Sequence, residues 1–407
     1  MTTDVEGASS RRWLVTLLFL GTALNYVDRQ VLALLKPTLE AEFGWSNQEF
    51  AHFGSAVNIS TVAALLFVGW FVDRFGVRIA YGIAVAVWSL AGMGHAAAAS
   101  VGQFVAARSI LAVAESVNTP AAVKAAATYL PLKERSFGLG LINTAPNIGA
   151  ILTPLLIPPL ALAFGWKSAF IITGALGFVW LAFWILGTKR LTPVDAAPPA
   201  PSESNWGELL RDKRSWAVIG AKGFTDCVWW FLLFWTPDLF SRVFKLNQAQ
   251  IGGPIALIFT MAAAGALTSG ALFPRLLDRG LSVNAARKGS MLFYALLILP
   301  IPLALQAETP WTAALLIGLA LFAHQGFSTN LFGLAADTVP RARVGSVMAA
   351  GAIAGNLTGL GMNELTGWSL DSGVGYWPMF AISASGYLVA LLWVHLILPE
   401  IRATQAA

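Results

Sequence analysis

The chain has 407 residues, 57% of them hydrophobic and only 12% charged, with a mean hydropathy of +0.67. Soluble domains carry about 25% charged residues, so the composition excludes an ordinary soluble domain and describes an all-α polytopic membrane protein embedded in a lipid bilayer. The net charge of +5 is no nucleic-acid signature, because the basic residues sit in short breaks between apolar runs. One cysteine, Cys227, excludes an internal disulfide and a cysteine-based metal site. His52, His95, His324 and His395 are far apart with no ligand spacing, so neither a metal nor a cofactor is expected.

Apolar runs predict twelve membrane helices, over 13–35, 50–70, 78–99, 101–129, 137–159, 167–188, 215–241, 250–273, 287–305, 310–336, 343–366 and 376–398. The first run is full length and no cleavage-site pattern precedes it, so no signal peptide is expected. The fourth carries Arg108, Glu115 and Lys124 and is the least clear by hydropathy. Polar breaks of turn composition separate the runs, as at Gly44-Trp45-Ser46-Asn47, Lys133-Glu134-Arg135 and Pro340-Arg341-Ala342-Arg343. The longest break, 189–214, holds Pro193, Pro198, Pro199 and Pro201, then Arg211, Lys213 and Arg214. Its first part reads as a linker and its second as a possible surface helix. The expected plan is a tail 1–12, a six-helix bundle 13–188, the linker 189–214, a second six-helix bundle 215–398 and a tail 399–407.

Most of the 26 Lys and Arg residues fall on one side of this plan, while only Lys36, Lys167, Arg242 and Lys245 fall in loops on the other. The positive-inside rule then puts both termini in the cytoplasm. The break after the second run reads Gly69-x3-Asp73-Arg74-x-Gly76-x-Arg78, and the break after the eighth, Gly270-x4-Arg275-x2-Asp278-Arg279-Gly280, is a degenerate copy. Such a repeat is the plan of an alternating-access transporter with substrate near the midplane between halves. In the first copy glycine lets helices approach, and Asp73 is placed to pair across the half-to-half interface in one state and release in the other, with Arg74 and Arg78 as its companions in a conformational gate. A solvated loop that only obeys the positive-inside rule is the plainer reading.

The spacing of Gly69–Arg78 resembles the signature of the major facilitator superfamily. Three further stretches are similar to its anion:cation symporter family: Asn25-Tyr26-Val27-Asp28-Arg29-Gln30, Arg108-x6-Glu115, and Ala323-His324-Gln325-Gly326 leading to Ala336-Asp337. Lys222-x3-Asp226-x2-Trp229-Trp230-Phe231 looks like the hexuronate transporters of that family. The resemblance implies twelve transmembrane helices in two pseudo-symmetric six-helix bundles, in the plasma (inner) membrane. It also implies proton-driven uptake of a sugar acid such as galacturonate or glucuronate. Aldonates and aldarates, or anion exchange on the same fold, are the alternatives, and a monomer is expected.

Charges inside a membrane helix cost roughly 2.5–3.5 kcal/mol each, so they are rare and usually functional. Asp28 and Arg108 each lie about 10 Å from the same boundary on antiparallel helices, which predicts an ion pair between them. Arg29, turned about 100° from Asp28, is then free for another partner. Glu115 lies on the Arg108 face near the bilayer centre, where a proton carrier is useful. In the family, acids matching Asp28 and Glu115 are the protonation sites, and the matching arginines bind substrate or switch salt bridges; those roles carry over to Asp28, Arg29, Arg108 and Glu115. Asn25 and Tyr26 join the substrate side. Lys222 and Asp226, at i and i+4, form either a self-neutralising pair or a cation site for a carboxylate with its neighbour. Trp230 or Trp229 could stack on a sugar face, and His324 is a candidate polar ligand. Among the intramembrane amides, Asn58, Asn147 and Asn356 are first choices for sugar hydroxyls. Lys124 reads as an interface or gate residue. The chain has no GxSxG, no HExxH and no Cys/His pair, which argues against a membrane enzyme.

Overall fold

The computed structural model describes residues 2–189, 191 and 206–401. Those residues are almost entirely helical. Helices α1 (Thr2–Phe43), α2 (Asn47–Leu65), α3 (Val68–Gly94), α4 (Val101–Glu115), α5 (Asn118–Tyr129), α6 (Leu132–Ile142), α7 (Ala145–Phe164) and α8 (Trp166–Gly187) come first. The short α9 (Trp206–Arg211) follows, then α10 (Lys213–Arg242), α11 (Gly252–Asp278), α12 (Val283–Leu297), α13 (Pro310–Thr338), α14 (Arg341–Asp371) and α15 (Trp377–Ile397). Among the described residues nine spans are long and apolar enough to cross a membrane. The other three predicted passages fall on α1, α2 and the pair α4–α5, where buried polar groups or a break dilute the signal. The expected surface helix corresponds to α9, whereas the proline-rich part of the linker lies outside the described residues.

The chain forms two compact units. The first comprises Met1–Trp45, His52–Pro199 and Asn247–Gly252; the second comprises Ser46–Ala51, Ala200–Leu246 and Gly253–Ala407. In the first unit, Trp180 and Trp184 of α8 stack at 5.2 Å against Tyr81 of α3. Their indoles donate to backbone carbonyls, Trp180 to Leu17 at 2.8 Å and Trp184 to Arg78 at 3.0 Å, which ties α8 to α1 and α3. The Tyr81 hydroxyl donates to Asn118, which also meets Thr22. In the second unit Phe231 packs edge-on against Phe380, and the Trp235 indole donates to Asn363 at 3.0 Å.

The motif at 69–78 is not an open loop. Helical backbone runs through it on both sides of a turn at Gly76, whose φ of 73° is a left-handed conformation that suits glycine. The degenerate copy behaves alike: α11 continues through Gly270 to Asp278, and the chain turns at Gly280 with φ of 84°. Predicted boundaries shift for identifiable reasons. Helix α1 runs eight residues past Leu35 to Phe43 and takes in Pro37. The fourth passage breaks after Glu115, where the Ser116 hydroxyl donates back to the Ala112 carbonyl and Val117 N–H reaches Ala114. Pro154, Pro158 and Pro159 lie inside α7, in keeping with a proline-bearing fifth passage.

Candidate functional site

In the first unit the family-like charges converge on the contact of α1 with α4. Arg29 Nε donates to Glu115 Oε2 at 3.3 Å, and this is the helix-to-helix ion pair. The expected Asp28–Arg108 ion pair is replaced by a different contact. Arg108 donates instead to α1 backbone, NH1 to the Asp28 carbonyl at 3.2 Å and NH2 to the Arg29 carbonyl at 2.7 Å. A helical carbonyl keeps a second lone pair after serving its i+4 amide, and the long guanidinium reaches past the Asp28 side chain to use it. Arg29 is therefore not the free member of the adjacent pair; it holds Glu115, with Tyr26 beneath it at 5.1 Å. Asp28 itself is buried, and the Thr173 hydroxyl of α8 donates to the Phe170 carbonyl at 3.4 Å.

The local sequence explains this placement. Glu115 is the last residue of α4, just before the Ser116 break, so its carboxylate projects at a helix end rather than along a continuous face. Arg108 and Glu115 are 2% and 4% exposed, while Arg29 retains 22% side-chain exposure. Hydrogen-bonding capacity is left over. Arg108 Nε, Glu115 Oε1, Asn25 Oδ1 and Gln30 Nε2 are buried with no partner among the described residues, and so are both amide atoms of Asn58. Asn25 spends its amide nitrogen on the Glu115 carbonyl at 3.4 Å. Asn147 is half-buried on α7.

Asp73, largely exposed, pairs with Lys124 of α5 at 2.5 Å. Its partner is thus a residue of its own unit, where the sequence suggested one across the halves. Lys124 also donates to the Val72 carbonyl. Arg78 donates to the Ile185 carbonyl at 3.2 Å, and Arg74 is exposed.

The second unit carries its own cluster. Lys222 Nζ lies 2.7 Å from Asp226 Oδ2, the self-neutralising pair that the spacing allowed. Gly351 and Gly355 of α14 make room for it: a Cβ at Gly351 would stand 2.7 Å from Lys222 Cδ, and one at Gly355 2.5 Å from Asp226 Oδ2. His324 Nδ1 lies 2.6 Å from the Tyr387 hydroxyl, and Trp229 stacks on the imidazole at 5.2 Å. Trp229, not Trp230, is therefore committed to His324; Trp230 is half-buried beside it. Asn356 donates to the Ala352 carbonyl and leaves its Oδ1 unpartnered. Sequence reading missed Tyr387, a hydroxyl in an apolar run with no spacing to mark it. It also set aside His95 for lacking ligand spacing.

Residues 18–362 match the model of the Major Facilitator Superfamily. The chain belongs to that superfamily. As a major facilitator it is a multi-pass membrane transporter and not an enzyme. It is 27% identical to the hexuronate transporter of Escherichia coli (strain K12), with 97% of this chain and 96% of that protein covered. It is 30% identical to the probable L-galactonate transporter of the same organism over 78% of this chain and 74% of that one. Among solved folds it superimposes with a TM-score of 0.75 on a bacterial homolog of the human lysosomal transporter Spinster. That match is 18% identical and covers 97% of this chain and 99% of the other. The two chains share a fold.

Proposed function

We propose that this major facilitator is a proton-coupled symporter that imports a sugar acid, most naturally a hexuronate such as galacturonate or glucuronate. It would sit in the inner membrane with both termini in the cytoplasm and act as a monomer. The observation that carries the reading is the buried Arg29–Glu115 pair beside Arg108. A monoanionic sugar needs a cation in its site, a proton needs an acid that can hold it, and here one contact joins the two. Glu115 offers Oε1 as a free atom for the proton. Protonation weakens the hold on Arg29, whose partial exposure lets it meet the sugar carboxylate together with Arg108. Asp28, buried with Arg108 on its backbone carbonyl, is the second protonation site. Asn25, Tyr26, Asn58, Asn147, Lys222, Trp230, His324 and Asn356 are the remaining substrate-side residues, and Asp73, Arg74 and Arg78 form the gate.

Names of similar proteins support the sugar-acid class, since one is a hexuronate transporter and another a probable L-galactonate transporter. The second name also keeps an aldonate as the alternative cargo. A thermal-shift screen of purified protein tests the class, using glucuronate, galacturonate, galactonate, glucarate and their neutral parent sugars. Stabilisation by an acid but not its neutral parent is expected; a response to neutral sugars alone would overturn the anion reading.

A further inference from the structure

His95 lies outside the ion-pair cluster yet shares its walls. It opens a single 3-10 turn, His95–Ala97, at the end of α3 and is fully buried. Its ring stacks on Phe170 of α8 at 4.9 Å with 6° between planes, and Phe104 of α4 packs edge-on at 5.9 Å. Phe104 is one helical turn before Arg108 on α4.

Backbone geometry fixes the tautomer. Nδ1 lies 2.8 Å from the Ala91 carbonyl and 3.2 Å from that of Gly92. A carbonyl only accepts, so Nδ1 carries a proton, and the neutral ring presents a lone pair at Nε2. That Nε2 is buried with no donor among the described residues. Arg108 shows the complementary deficit, because NH1 and NH2 are served by α1 carbonyls while Nε–H is buried without an acceptor. An unmade buried hydrogen bond is costly on either side, and pairing these two atoms removes both costs.

We propose that His95 is the positioning residue for Arg108. When a substrate carboxylate draws NH1 and NH2 away from the α1 carbonyls, the Nε–H turns to His95 Nε2, directly or through one water. The guanidinium then keeps its two-pronged edge toward the ligand. A neutral imidazole suits this role because it accepts a hydrogen bond without cancelling the charge, as an aspartate or glutamate there would. This assignment rests on the sugar-acid reading above.

Two variants separate the acceptor from the ring. His95→Phe keeps a flat ring on Phe170 and removes the lone pair. His95→Gln loses the ring and keeps an oxygen near the Nε2 position. Uptake of D-galacturonate and D-galactonate into proteoliposomes under a pH gradient gives KM and maximal rate. His95→Phe is expected to raise KM for the accepted acid about tenfold or more, with maximal rate kept within about twofold, and His95→Gln to stay within about threefold of wild type. Unchanged KM in His95→Phe overturns the assignment, as does loss in His95→Gln with retention in His95→Phe, which marks stacking as the role. If His95→Phe does not fold, the ¹⁵N resonance of the wild-type imidazole decides, assigned by its absence from the His95→Gln spectrum. The Nε2 signal must move to a hydrogen-bonded position on adding the acid, and a stationary signal overturns the proposal. Wild-type protein that neither binds nor moves either acid brings down the sugar-acid reading and this proposal with it; binding by wild type with no response at His95 brings down this proposal alone.

Discussion

Arg108 in the first unit and Arg287 in the second are both buried arginines on membrane helices, 2% and 5% exposed, yet their surroundings differ. Every nitrogen of Arg287 has a partner. Nε and NH2 donate to Asp337 at 3.2 and 2.6 Å, NH1 donates to Asn330 at 3.3 Å, and Phe273 lies under the guanidinium at 3.5 Å. Asn330 in turn donates to Ser269, Ser290 and the Gly326 carbonyl. Around Arg108 the opposite holds: its own Nε, and atoms of Glu115, Asn25 and Gln30, are unspent, as are both amide atoms of Asn58 on α2. In the second unit the unpartnered buried side-chain atom among the described residues is Asn356 Oδ1. Unmade hydrogen bonds in an apolar interior are expensive. A cluster that keeps them open is built for a visiting ligand, and a closed one is built to hold helices together.

That contrast is open to attack by mutation. The largest effect on stability is expected from Arg287→Ala, which strands Asp337 and Asn330: about 3–5 kcal/mol lost, read as a lowered unfolding temperature in detergent, with the KM of the folded fraction unchanged. Glu115→Gln should do the reverse. Accumulation driven by a pH gradient falls at least about tenfold while the unfolding temperature holds, because Gln keeps the shape and a hydrogen bond but carries no proton. Intact uphill uptake in that variant would remove Glu115 from the coupling role. Asn330→Ala against Asn58→Ala is a sharper pair. The first should cost about 2–3 kcal/mol, since it unseats Arg287 and two serines; the second should cost no more than about 1 kcal/mol, since the Asn58 amide makes no hydrogen bond among the described residues. Comparable losses in the two would erase the distinction.

The smallest effect lies outside the spans. Asp212 caps α10 by accepting the Arg214 N–H at 2.9 Å, and it chelates the Arg214 guanidinium. Those hydrogen bonds hold its carboxyl below the usual range. A depressed folded-state pKa means stabilisation that is complete above the unfolded value and lost as pH falls through the folded one. Asp212→Asn is therefore expected to cost about 0.5–1 kcal/mol at neutral pH. The gap from wild type should close in acid, as pH-dependent melting curves can follow.

Helix count and the internal echo were legible from sequence, because apolar length and glycine placement are properties of the chain itself. Matching depth along antiparallel helices also set Arg108 beside the Asp28–Arg29 stretch, but it left Glu115 deeper and without a cation, where the structure pairs it with Arg29. It did not reveal who holds whom. Axial rise fixes height along a helix, but partner choice depends on reach and on acceptors that sequence does not display, such as the α1 carbonyls under Arg108. Nor does the sequence display the tightening after Glu115, where the Ser116 hydroxyl bonds to its own helix and Val117 N–H reaches Ala114. Tyr387 and His95 stayed hidden because their importance lies entirely in what folding sets beside them.

The glycines at 351 and 355 have a mechanical consequence. They sit at the same four-residue interval as Lys222 and Asp226, so each charged side chain occupies a notch where a hydrogen stands instead of a methyl. Sliding α10 along α14 by a single residue would drive Lys222 and Asp226 out of their notches and into side chains. Shear between these helices is thereby blocked, and they travel as one strut. Whatever rearrangement the second unit undergoes during turnover, its flexing must be taken up elsewhere.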